Sequence, residues 1–87
     1  SEAERKAIAV EFAERLAAGE FEKAAGPFDD TMQALMGPEK LAETWSRIEK
    51  QCGEFGGFGP PRHEIVGGHD AYFFTGKWKA ISLDMQV

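Results

Sequence analysis

One cysteine, Cys52, stands in a chain of 87 residues. No internal disulfide can form, and no thiolate zinc cage can be assembled. Basic charge is also scarce: 10 Lys and Arg face 15 Asp and Glu, for a formal net charge of -5. A nucleic-acid backbone calls for a basic stripe, and an anionic membrane surface for a basic cluster; neither is present. No apolar run approaches the roughly 18 residues of a membrane span. The charged opening SEAERKAIAVEFAERL does not read as a signal peptide. Dinucleotide-binding, phosphate-loop and nucleophile-elbow patterns are missing, as are internal repeats, low-complexity tracts and interdomain linkers. A lone Cys suits a reducing or an oxidising compartment, so localisation stays open.

What remains is an ordinary globular composition: 43% hydrophobic and 29% charged, with seven Phe, two Trp and one Tyr. This length supports one domain, residues 1–87, and the aromatics supply much of the area that so short a chain must bury.

Residues 3–18 read as an amphipathic helix. Ile8, Phe12 and Leu16 recur at i, i+4, i+8 with Ala9 and Ala13 beside them, and the alanines allow another element to approach closely. Ser1 is placed to cap this helix and Gly19 to end it. A short second helix carries Phe21, Ala24, Ala25 and Phe28 until Gly26-Pro27 ends it. Asp29, Asp30 and Thr31 can cap a turn bearing Met32, Leu35 and Met36. Pro38 then opens a third helix whose stripe is Leu41, Trp45, Ile48 and Cys52, closed by Gly53.

The composition then changes. The Gly- and Pro-rich stretch 54–61 reads as an irregular connection tethered by Phe55 and Phe58. Strands follow over 62–87: Arg62–Val66, a hairpin turn at Gly67-Gly68-His69-Asp70, an aromatic strand Ala71–Lys79, and a last strand. In that strand Ile81, Leu83, Met85 and Val87 alternate with Ser82, Asp84 and Gln86. The expectation is an α+β fold, in which three helices within residues 1–53 pack on a curved antiparallel sheet. The alternation is still running at Val87, which predicts a hydrophobic sheet edge completed by further strand, either of this chain or of a partner.

The order of GEFEKAAGPFDDTM, PEKLAETW, GEFGGF and YFFTGKWKAISLDMQV resembles the bacterial domain of unknown function 3887, from about Ala7 to Val87. That family is similar to the nuclear transport factor 2-like (cystatin-like) superfamily, in which a curved sheet wraps a long helix into a cone. The resemblance implies an accessory domain, often preceding an α/β-hydrolase domain, with no family active site to carry over. Members continue with an acidic turn and another strand, which this chain lacks.

The polar residues offer little convergent chemistry. Asp29-Asp30 reads as a helix cap, since side chains adjacent in sequence do not converge on one substrate atom. His69-Asp70 reads as a surface turn without a nucleophile, although a His–Asp pair can orient a base. His63 can face either side of its strand, and a metal would need carboxylate partners. Cys52 reads as a buried, inert thiol. Asp84 is placed on the solvent face, because a one-residue slip would expose four apolar side chains. No catalytic residue, metal site or cofactor is expected.

Trp45, Tyr72, Phe74 and Trp78 are the candidates for a ligand pocket or an interface, with packing in the core as the plainer reading. The sequence therefore points first to a non-catalytic accessory or interaction domain, self-associating through its sheet as a homodimer. A small apolar ligand held in the cone cavity is the second reading. An isomerase- or dehydratase-type enzyme, which needs a buried carboxylate or His, is the third.

Overall fold

A computed structural model describes residues Ser1–Val87. The helices are Glu2–Ala17 (α1), Phe21–Ala25 (α2), Asp30–Leu35 (α3) and Pro38–Cys52 (α4). The strands are Phe55–Phe58 (β1), Arg62–Val66 (β2), His69–Trp78 (β3) and Ser82–Gln86 (β4). Helices pack on one face of an open, antiparallel, four-stranded sheet, so the fold is α+β.

The helix ends follow local chemistry. The Ser1 hydroxyl accepts from the Glu4 amide, and Asp29 Oδ1 accepts from the Met32 amide at 2.8 Å. Pro38 occupies the first turn of α4, where a missing N–H costs nothing. At the end of α4, Gly53 has φ +92, and a Cβ there would lie 2.8 Å from the Lys79 side chain. Only glycine fits that exit.

Three expectations are corrected here. Helices number four: Asp29 caps a complete short helix, α3, where a capped turn was expected. The stretch 54–61 is not wholly irregular, because Phe55–Phe58 pairs with β3, its Phe side chains packing inward while Gly56 and Gly57 accommodate a register shift. The hairpin turn is Gly67-Gly68 alone, both at positive φ; His69 and Asp70 belong to β3.

β3 is the hub of the sheet. It pairs with β2 through His69–Phe73 and with β1 through Gly76–Trp78. It also pairs with β4 through Phe73–Lys77. A strand has two edges, so these overlaps place β1 and β2 end to end along one edge of β3 and β4 on the other. Direct antiparallel partners share a face. Tyr72, Phe74 and Trp78 therefore face the helices together with Met85 and Leu83, while Asp84 lies on the outer face opposite Thr75. The predicted side for Asp84 is the observed one.

The core is thin, with ten of 87 residues buried. Its centre is Ala9 and Ala13 of α1 against Tyr72 and Phe74 of β3. The buried stripe of α1 is Ala9, Ala13 and Leu16 rather than Ile8, Phe12 and Leu16. Two alanines let the helix settle close to the aromatic strand, and this roll leaves Ile8 59% exposed. α4 carries no fully buried residue, and Cys52 is half-buried where a buried thiol was expected.

The Trp78 indole folds back over Gly76. A Cβ at Gly76 would meet the ring at 2.3 and 2.5 Å, closer than any real contact. Gly76→Ala should displace the indole and cost about 1–3 kcal/mol of stability. Chemical denaturation followed by tryptophan emission checks this; an unchanged midpoint and spectrum would refute the close packing.

Candidate functional site

Three places in the fold bring side chains together: an aromatic cluster, a polar cluster and an apolar groove. The first holds three of the four candidate site residues. Trp45 from α4 stacks edge-on to Phe55 at 4.8 Å and lies 5.7 Å from Trp78. Phe55 reaches Phe58 at 4.9 Å and Trp78 at 5.0 Å, and Phe58 continues to Phe74 at 5.9 Å. These separations are those of favourable aromatic pairs. The cluster closes α4 onto β1 and β3. Phe74 and Trp78 are nearly fully covered, and Trp78 Nε1 is buried without a hydrogen-bond partner.

Tyr72 sits apart from them, in the polar cluster where α1 begins. His63 of β2 lies directly across from Tyr72 of β3, with its ring 5.1 Å from the phenol ring. That pairing turns His63 toward the helix side. Its Nε2 meets Asp70 Oδ1 at 2.7 Å, and its Nδ1 lies 3.5 Å from Glu2 Oε1. Arg5 Nη2 reaches the other Asp70 oxygen at 2.6 Å. The Tyr72 hydroxyl donates to the Glu2 carbonyl at 3.2 Å.

Asp70 thus pairs with His63 across the hairpin and not with its sequence neighbour His69, which is exposed. Residues 63 and 70 are brought together only by the β2–β3 register, and a search for adjacent His–Asp motifs misses them. The usable signal was the tight Gly67-Gly68 turn, which makes residues on either side of it cross-strand neighbours.

The hydrogen bond from His63, aided by Arg5, holds the Asp70 carboxyl below its ordinary value of 3.8, against a smaller opposing effect of burial. Burial pushes the Tyr72 phenol above 10.0, and the nearby Glu2 and Asp70 charges add to this. On the outer face, Arg62 at 3.0 Å and Thr75 at 2.9 Å hold Asp84 below 3.8.

Chemically, the polar cluster is a fastener. Both ring nitrogens of His63 face carboxylates, Nε2 that of Asp70 and Nδ1 that of Glu2. The Asp70 carboxylate is held in its charged form, the opposite of the raised value that suits a general acid. No group of three or more His, Cys, Asp or Glu is arranged to hold a metal ion.

The groove lies between α1, the α2–α3 segment and the end of β4. It encloses about 400 Å³, and Ile8, Phe12, Phe28, Met32 and Val87 form its walls. Phe12 and Phe28 stack at 5.7 Å across its floor. Arg15 and Glu11, joined by a salt bridge, stand on the rim, and Arg15 also donates to the Lys23 carbonyl at 2.9 Å. None of Trp45, Tyr72, Phe74 and Trp78 lines it. Ile8, expected in the core stripe of α1, lines the groove because α1 rolls onto its alanines, and Met32 of α3 lines it from the other side. No helix is long and apolar enough to cross a membrane.

The profile of a protein family described as Protein of unknown function (DUF3887) matches residues 9–87. Comparison with curated proteins and with solved structures finds no match.

The pH dependence of the fastener follows from the sign of the Asp70 shift. A carboxyl held below its ordinary value favours the fold above that value and loses its contribution as pH falls through the folded-state value. Asp70→Asn should therefore lower the melting temperature at neutral pH, and the variant and parent curves should converge as pH falls below the ordinary carboxyl value of 3.8. Thermal melts from neutral pH to below that value check this; a constant gap between the two proteins would refute it.

Proposed function

The chain belongs to the DUF3887 family, and on that premise we propose that it is a non-catalytic interaction domain that self-associates beside its sheet. The observation that carries the reading is the uncovered apolar surface around the groove. Ile8 is 59% exposed and Met32 41%, both lining the groove, and on the β4 side of the sheet Ile81 is 50% and Leu83 37% exposed. Scattered surface aliphatics are ordinary, but a patch that adjoins a concave groove marks an interaction surface. The polar cluster supports the non-catalytic side of the reading, since His63 and Asp70 are consumed in fastening α1 to the β2–β3 hairpin. In this reading the sheet and helices belong to a nuclear transport factor 2-like cone whose open flank is the contact surface. Trp45, Phe74 and Trp78 stiffen that cone from behind.

Sedimentation velocity over a wide concentration range tests this. A concentration-dependent dimer is expected. The double variant Ile8→Lys, Met32→Lys should shift it to monomer while leaving stability within about 0.5 kcal/mol, because both side chains are exposed. A parent protein that is monomeric at every concentration would remove the reading.

A second reading has its own observation. The groove's size lies within the range of small-molecule sites, about 300–1,000 Å³, and its walls are apolar. With Arg15 neutralised by Glu11, its occupant would be a small uncharged apolar molecule, stacked against Phe12 and Phe28. Such a ligand raises the melting temperature progressively with its concentration. A panel of uncharged aromatic and aliphatic compounds that leaves the melt unmoved would dismiss it.

A further inference from the structure

The free edge of β4 and the apolar groove adjoin one another, and together they specify an occupant more narrowly than either does alone. Tyr72 and Val87 exchange both backbone hydrogen bonds, at 3.3 and 2.7 Å, and Trp78 and Ile81 do the same at 2.9 and 3.3 Å. In an antiparallel ladder these hydrogen-bonded pairs alternate with non-bonded ones. The register between them therefore turns the odd-numbered backbone groups of β4 toward β3. The N–H and C=O groups of Ser82, Asp84 and Gln86 point away from the sheet, where no strand of this chain pairs with them.

A row of outward backbone donors and acceptors is satisfied best by another strand. Gln86 and Val87 also line the groove, so an added strand would set alternate side chains over it. That strand must carry aliphatic residues at every second position and polar residues between them. β4 has this pattern itself, and its own Ile81 and Leu83 are exposed.

We infer that two copies of this chain join their sheets through antiparallel pairing of β4 with β4, about a two-fold axis at Met85. This inference rests on the self-association proposed above and names its edge and register. A two-fold axis perpendicular to the sheet keeps both helical layers on the same side. Charge excludes one register, and filling of the groove chooses among the rest. Centring the pair on Asp84 would set two like charges directly opposite, which is unfavourable. A shift to Met85 places each Asp84 beside the second copy's Gln86, whose amide can donate to the carboxylate. Arg62 at 3.0 Å already balances Asp84 within its own chain. In this register the second copy's Leu83 falls beside Val87, and its Ile81 extends over the groove toward Ile8 and Met32. The two most exposed aliphatic residues of β4 and its approach thereby fill the groove of the opposite copy.

Two kinds of variant test the edge and the register. Met85 meets its own equivalent across the axis as a non-hydrogen-bonded pair, with Cα atoms about 4.5 Å apart, inside the disulfide range of roughly 4.4–6.8 Å. Met85→Cys in a Cys52→Ser background should oxidise to a covalent dimer, and Leu83→Cys in the same background should not. Gln86→Pro removes an outward N–H without breaking an internal ladder bond, and should raise the dimer dissociation constant at least about tenfold. Ile65→Pro does the same on the opposite edge of the sheet and should leave the dimer intact.

A dimer that survives Gln86→Pro, or that fails to cross-link through Met85→Cys, overturns the β4 pairing while self-association stands. A parent chain that never dimerises overturns both. Where Gln86→Pro does not fold, the cysteine pair alone decides.

Discussion

β3 hydrogen-bonds to every other strand of the sheet, and the rest of the structure depends on the register of that one strand. Along one edge it meets β2 and then β1, and along the other it meets β4. Because faces alternate strictly along a strand, this register sends Tyr72, Phe74 and Trp78 together toward the helices. The same alternation sends Thr75 and Lys77 outward with Asp84 and Ser82. A slip of one residue anywhere in this ladder would turn the aromatic face to water. Nothing else in so small a domain could replace the area then lost.

The helices adapt to that face. α1 meets β3 through Ala9 and Ala13, the smallest side chains on its surface, and so approaches closely while leaving Ile8 outside. Where α1 begins, His63, Asp70, Arg5 and Tyr72 tie its first turn to the β2–β3 hairpin. At the other end of the sheet, Trp45 of α4 closes on Phe55 and Trp78. Two fastenings at opposite ends of β3 thus hold the helical layer, one polar and one aromatic. The flank beside β4 is held by neither. The groove and the free edge both lie there, so exposed apolar surface and unpaired backbone coincide at the proposed contact.

Much of the architecture was readable along the chain. The glycines, prolines and short polar caps mark nearly every boundary, since Ser1, Asp29, Pro38 and Gly53 act through local backbone chemistry that sequence order displays. The alternation Ile81, Leu83, Met85, Val87 likewise revealed which way Asp84 would face. Harder to see was β1, because Gly and Pro around Phe55 and Phe58 carry loop propensity. Only pairing with β3 makes that stretch a strand, as tertiary hydrogen bonds outweigh a weak local preference.

The order of helices before strands, the capped helix ends, the alternating last strand and the lack of any internal disulfide are all written in the linear chain. Those properties depend on composition or on neighbours within a few residues. Which residues meet is a matter of packing. Packing drew His63 to Asp70 across the hairpin, separated Tyr72 from Trp45 and Trp78, and rolled α1 onto Ala9 and Ala13 so that Ile8 became a groove wall. Helical spacing places Ile8, Phe12 and Leu16 on one side of α1, but it cannot say which portion of that side turns inward. Closest approach to Tyr72 and Phe74 settles that choice, and it is a property of the packed molecule alone.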